Sequence, residues 1–220
     1  LIGVNWLVYI WAVQTGHVLA ASMGYFINPL VNVVLGTLLL KEKLSRSQWT
    51  AVAIAAVGVA LLMGGAYDTL WISLTLALSF GTYGLLRKQV AVGSLPGLTI
   101  ESAILLIPAL GVTYYYSTTP AGSAFGQELA MSLIIILGGV VTAVPLLLFA
   151  IAARRMDYSA LGFIQFISPT IVFLLGLFVF GEELLPIQLA SFVLIWAGLA
   201  VFVWDLLARR SNRAKIAPRP

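Results

Sequence analysis

Tyr25, Asn28 and Asn32 stand at i, i+3 and i+7 in an otherwise apolar stretch, so one helix face carries three polar groups. A second apolar stretch carries Gln165 and Ser168 at matching positions, with Val172 in the third place. Polar groups in such surroundings are costly to leave unpaired and turn toward protein or water rather than lipid. Their chemistry is hydrogen bonding, either to a solute in a shared cavity or between helices as packing contacts. Asn28 and Gln165 suit the cavity better, and Asn32 suits packing. Glu101 is the acidic residue placed inside an apolar stretch, about one turn in. A carboxylate there can bind a proton and couple its movement to a solute. The competing reading is a first-turn Glu that reaches the interface and is favoured by the helix dipole.

Weaker candidates surround these. Thr75, Ser79 and Tyr83 recur at i, i+4 and i+8 and either line a pathway or satisfy their own backbone. On another face of that stretch Ser73, Ala77 and Gly81 form a small-residue stripe that reads as close helix packing. Asn5 lies beside Trp6, in surroundings that suit flat, amphipathic solutes. Pro29, Pro145 and Pro169 are candidate helix breaks or hinges, because each removes an N–H and leaves a carbonyl without its donor. Intramembrane hydrolysis needs paired aspartates, Ser with His, or a His-Glu-x-x-His zinc motif. Here His17 is the single histidine, and Asp68, Asp157 and Asp205 are scattered. With no cysteine, thiolate metal sites and disulfides are excluded as well. The reading is of a non-enzyme without metal or cofactor.

The elements that position these residues are long and greasy. A chain 61% hydrophobic and 9% charged does not stay soluble as a monomer. Apolar stretches of about twenty residues, long enough for a bilayer, recur from end to end. They lie near 1–15, 18–40, 48–64, 69–86, 97–116, 131–153, 159–180 and 187–207. Period-two alternation is absent, so the expectation is an all-α polytopic transmembrane helix bundle. Basic residues occupy only alternate connections: Lys41, Lys43 and Arg46, then Arg87 and Lys88, then Arg154 and Arg155, and finally the tail 208–220. Short cytoplasmic loops collect Lys and Arg, which puts both ends of this chain inside. The net charge of +4 needs no nucleic-acid partner, since it sits where that rule places it.

An internal repeat organises the stretches. Tyr25-Phe26-Ile27-Asn28-Pro29 matches Gln165-Phe166-Ile167-Ser168-Pro169 at an offset of 169 − 29 = 140. The same ungapped offset pairs Gly36 with Gly176, Glu42 with Glu182, Gln48 with Gln188 and Gly58 with Gly198. Five stretches separate the copies, an odd number, so the copies cross the membrane in opposite directions. Inverted repeats with polar groups and prolines at their interface are a secondary-transporter architecture. Glu42 and Glu182, equivalent positions at stretch ends, suit helix-end capping rather than binding. On this frame 69–207 is a complete five-helix copy and 1–64 its last three helices. Eight helices of an inferred ten are then present, with two expected ahead of Leu1.

The run Ser22-Met23-Gly24-Tyr25-Phe26-Ile27-Asn28-Pro29-Leu30 resembles the drug/metabolite transporter superfamily, in particular its EamA/RarD-type branch. So do Asn5-Trp6-Leu7, Tyr83-Gly84-Leu85 with Arg87-Lys88, Ile100-Glu101, Val144-Pro145-Leu146, and Leu161-Gly162-Phe163 through Pro169-Thr170. The likeness covers essentially the whole chain. It implies ten-helix carriers of the bacterial inner membrane, and RarD-type chains are associated by name with chloramphenicol sensitivity. Where such chains often carry a Glu shortly before the Ser-x-Gly-Tyr run, Ala20 stands here. The expected function is a secondary, alternating-access exporter of small organic metabolites or drugs, coupled to protons. The alternatives are a membrane scaffold or an inactive fragment, with an intramembrane enzyme last. Its partners would be a small-molecule substrate and the lipid bilayer, with a homodimer left open.

Overall fold

The computed structural model describes residues 1–64, 67–119, 122, 124–179 and 185–216. Nine α-helices run through them, and no strand occurs among the described residues. They are α1 (Ile2–Gln14), α2 (Val18–Leu38), α3 (Arg46–Leu62), α4 (Leu70–Gln89), α5 (Ser94–Thr118), α6 (Leu129–Arg155), α7 (Tyr158–Gln165), α8 (Ile167–Phe178) and α9 (Pro186–Ile216). Over the described residues, each apolar stretch expected from the sequence falls largely in helix. Among the described residues five stretches are long and apolar enough to cross a bilayer: Ala20–Leu38, Ser94–Thr118, Leu129–Arg155, Tyr158–Leu175 and Pro186–Arg209. The protein is an all-helical, multi-pass membrane protein. α1 has 13 residues. At 1.5 Å per residue such a helix is about 20 Å long, short of the ~30 Å hydrocarbon core.

The three prolines differ in their effect. The seventh stretch is two helices, α7 and α8, that meet at Phe166. Pro169 has no N–H to give the Gln165 carbonyl four residues back, and α7 stops at Gln165. Pro169 itself lies in the first turn of α8, where an N–H would have no intrahelical partner. The interruption therefore precedes the proline. Pro29 and Pro145 end no helix: α2 and α6 continue through them, since one lost bond is spanned by the turns on either side.

The chain divides into two compact units, residues 1–85 with 156–220, and residues 86–155. This division cuts across the sequence repeat. In the first unit α3 packs along α9 through glycines that bring backbones together. A Cβ on Gly58 would lie 2.8 Å from the Ser191 carbonyl oxygen, and one on Gly198 would lie 2.8 Å from that of Ala51. Residues 51 and 58 become 191 and 198 at the repeat offset, so the offset exchanges the two contacts. As numbers rise along α3 they fall along α9, and the pair is antiparallel. The matched glutamines repeat a cap as well. Gln48 Oε1 accepts the Ser45 N–H at 2.8 Å, and Gln188 Oε1 accepts the Leu185 N–H at 3.2 Å. Each covers a donor at the start of its helix.

α4 turns its small stripe to α2. Ser73, Ala77 and Gly81 are buried, the Ser73 hydroxyl donates to the Ala20 carbonyl at 2.6 Å, and Gly24 lies against Leu76. The packing role expected for the stripe holds, and Ala20 supplies the carbonyl in that contact. The core beside it is aromatic, with Phe163 stacked on Phe202 at 3.9 Å between centroids.

In the second unit, the basic residues close helix ends. Lys88 Nζ donates to the Ala153 carbonyl near the end of α6, and Arg154 Nη1 donates to the carbonyls of Arg87, Val90 and Val92 at the end of α4. Cations are favoured at helix C-termini, where carbonyls lack intrahelical donors. Along α5 and α6 large apolar side chains such as Ile107 and Leu129 are exposed, as helices facing lipid require.

Candidate functional site

Three amides meet where α2 crosses α7. Asn28 and Asn32, one turn apart on α2, both donate from Nδ2 to the side-chain oxygen of Gln165, the first at 3.0 Å. Asn28 is 6% exposed and Asn32 fully buried. Gly162 lets the helices approach, because a Cβ there would lie 2.7 Å from the Pro29 carbonyl oxygen and 2.9 Å from Asn32 Cβ. The cluster is unbalanced: Asn28 Oδ1 and Asn32 Oδ1 are buried and accept no hydrogen bond. On α4, Gly81 leaves room beside Asn32, with a Cβ there only 3.1 Å from Asn32 Oδ1.

The structure thus joins Asn28 to Gln165 and adds Asn32, which the sequence had suggested for packing. Their spacing was the legible signal; the orphaned oxygens were not. Tyr25 is 54% exposed and sets its ring edge-on to Tyr9 at 6.1 Å. Ser168 is exposed on α8. Asn5 and Ser79 form a second pair: Asn5 Nδ2 donates to Ser79 Oγ and to the Leu76 carbonyl, both at 2.9 Å. Tyr83 is buried on the same helix beside Phe80. Pro29 and Pro169 are buried and Pro145 exposed.

Glu101 lies in the second unit. Its Oε1 is 3.4 Å from Arg87 Nη1, and Arg87 also donates to the Ser94 carbonyl. The guanidinium lies over Gly97, where an added Cβ would collide with Nη1. Arg87 is itself buried, and its Nε has no partner. The sequence supplied both residues without pairing them.

Glu42 meets the start of α7. Its Oε1 accepts the Tyr158 N–H at 2.6 Å, and its Oε2 accepts the Ser159 N–H at 2.9 Å and the Ser159 hydroxyl at 2.7 Å. Asp157 occupies the local cap position and makes no side-chain cap bond. A carboxylate from another helix satisfies the orphan donors instead, and the dipole favours its charge. The capping role expected for Glu42 is present; its repeat mate Glu182 lies outside the described residues. The Tyr158 hydroxyl donates to the Gly81 carbonyl at 2.6 Å and ties α7 to α4. Nothing in the sequence marked Tyr158 or Ser159. His17 stacks on Trp11 and bonds Thr15 Oγ1 at 2.8 Å.

Comparison with known proteins adds family information. Residues 1–64 match the model of the EamA-like transporter family. An uncharacterized transporter of Pseudomonas aeruginosa is 46% identical over 205 residues, covering 93% of this chain and 69% of that protein. Protein RarD of Escherichia coli K12 is 43% identical over 216 residues, covering 98% of this chain and 73% of that one. A solved crystal structure shares the fold, with a TM-score of 0.67 at 18% identity over 90% of this chain and 73% of that chain.

Proposed function

The chain belongs to the EamA-like transporter family, in the RarD-type branch of the drug/metabolite transporter superfamily, and on that premise we propose an alternating-access exporter of small organic solutes. A membrane transporter is the general function of that family. The finer reading rests on one observation: at the helix crossing tied by Asn28, Asn32 and Gln165, the two copies of the repeat meet through buried amides with two unpaired oxygens. Both helices carry a proline one residue after the aligned Asn28 and Ser168. Secondary carriers place substrate at a repeat interface that includes interrupted helices, and here α7 and α8 break just before Pro169 while α2 runs on through Pro29.

In this reading Asn28, Asn32 and Gln165 bind solute, with Tyr25 and Ser168 on its route and Asn5, Ser79 and Tyr83 holding α4. Helix rocking exposes the cluster to each side in turn, with the interruption at Phe166 and Pro169 as hinge. Solutes are flat and amphipathic, and chloramphenicol, for which the chloramphenicol-sensitive protein RarD of Pseudomonas aeruginosa is named, is one compound to try. Protons drive the export through Glu101 and its partner Arg87. The protein works in a bacterial inner membrane with both ends of this chain cytoplasmic, and carries out no covalent chemistry.

Proteoliposomes with a trapped pH dye test this. Addition of a transported aromatic solute is expected to change the lumenal pH, and Glu101→Gln to abolish that change. Solute movement without a proton signal would remove the coupling and keep the carrier. No movement across a panel of aromatic amines, amides and chloramphenicol would overturn the carrier.

A further inference from the structure

The three amides do not balance, and the imbalance has a sign. Gln165 Oε1 takes one N–H from each asparagine. That leaves Asn28 Oδ1 and Asn32 Oδ1 as buried acceptors with no donor. The backbone adds to the shortage. Pro29 cannot donate to the Tyr25 carbonyl, nor Pro169 to that of Gln165, the residues four places before each. Contacts serving only to pack helices would pair both ends of each amide, because unsatisfied polar groups are costly away from water. Asn32 is fully buried, and its oxygen has no donor although Gly81 packs close beside it.

We propose that the Asn28–Asn32–Gln165 cluster is a receptor for a hydrogen-bond donor on the transported solute, best a cationic N–H group such as an ammonium or guanidinium. This rests on the carrier reading and specifies its substrate class. Amide and carbonyl oxygens present the negative ends of their dipoles. A cation with N–H donors gains charge-assisted bonds from them. A carboxylate has no N–H to give these two oxygens and is repelled by them, and a quaternary ammonium brings charge without donors. No acidic side chain takes part in these bonds, so the preference depends on directed donors rather than net charge. With all three amides turned end for end, the Gln165 NH2 would donate to both asparagine oxygens, and the two unpaired asparagine NH2 groups would select acceptors such as carboxylates.

Three benzyl probes of similar size separate these cases: benzylguanidinium, benzoate and benzyltrimethylammonium. Thermal unfolding of the full chain in lipid nanodiscs reads their binding. Benzylguanidinium is expected to raise the unfolding temperature while the other two leave it unchanged. Asn32→Leu and Gln165→Leu should lose the response. Asn32→Asp keeps the acceptors and adds charge, so it should respond at roughly tenfold lower concentration, since hydrogen bonds to charged groups are about twice as strong as neutral ones. If Asn32→Asp does not fold, Asn28→Asp serves the same purpose. Protection by benzoate, by benzyltrimethylammonium equally, or by none of the three overturns the proposal, as does loss of benzylguanidinium binding in the folded Asp variants. Counterflow in proteoliposomes keeps the two readings apart. Selective binding without counterflow leaves the receptor standing and sinks the carrier. Counterflow that benzoate blocks, and benzylguanidinium does not, sinks the receptor and keeps the carrier.

Discussion

Glu42 Oε2 accepts both the backbone N–H and the hydroxyl of Ser159, at 2.9 and 2.7 Å, across 117 residues of sequence. The bond joins the turn after α2 to the first turn of α7, on opposite sides of the sequence repeat. Gly36 makes room for it, since a Cβ there would lie 2.6 Å from the Glu42 carboxylate and 2.7 Å from Ser159 Oγ. Removing it uncovers two backbone donors and the positive end of a helix. Glu42→Ala is expected to destabilise the protein by about 2 kcal/mol, the range for hydrogen bonds to a charged group. Glu42→Gln, which keeps one acceptor, should lose roughly half as much. Thermal unfolding in detergent reads both, and equal stability of all three proteins would show that Glu42 caps nothing.

A Cβ on Gly162 would lie 2.7 Å from the backbone oxygen of Pro29. Backbone cannot rotate away as a side chain can, so Gly162→Ala must push α2 and α7 apart and part the amides. A loss of about 1–3 kcal/mol is expected, as for overpacking elsewhere. Gly138→Ala is the control, with nothing within 4 Å of its Cβ, and should leave unfolding unchanged. A wild-type midpoint for Gly162→Ala would refute the close crossing.

Arg87 and Glu101 form an ion pair at 3.4 Å beside Gly97. If that pair carries the proton, Glu101→Gln abolishes accumulation driven by a pH gradient and leaves solute exchange at equilibrium pH intact. Gly97→Ala displaces the guanidinium and should reproduce the defect. Vesicle uptake measured with and without the gradient distinguishes them. Unchanged gradient-driven uptake in Glu101→Gln would remove this residue from the mechanism.

Gln48 and Gln188 repeat one cap with unequal bonds, 2.8 and 3.2 Å. Replacing Gln48 by Ala is expected to cost about 1 kcal/mol, and the same change at Gln188 less, as the weaker bond implies. Equal unfolding midpoints for the two variants would count against the geometry.

Much of this was legible in the sequence because lipid leaves few choices. The apolar lengths gave the helices, and the offset of 140 residues foretold that Gly58 and Gly198 have equivalent roles. The helix break was readable from Pro169, yet it lies at the residues whose carbonyl loses its donor, not at the proline. Which groups pair across the fold was harder. Glu101 belongs with Arg87, 14 residues away, and Asn5 with Ser79, 74 away. Periodicity places a side chain on a face and does not say which neighbour meets that face. Asn32 shows the difference: its spacing suited packing and did not foretell that its oxygen would be buried without a partner.

The most direct test of the account is counterflow of radiolabelled benzylguanidinium in proteoliposomes, wild type against Gln165→Leu reconstituted to equal density. An alternating-access carrier exchanges external label for internal unlabelled solute. The account predicts a transient overshoot for wild type and none for Gln165→Leu. An equal overshoot in both, or none in wild type, would contradict it.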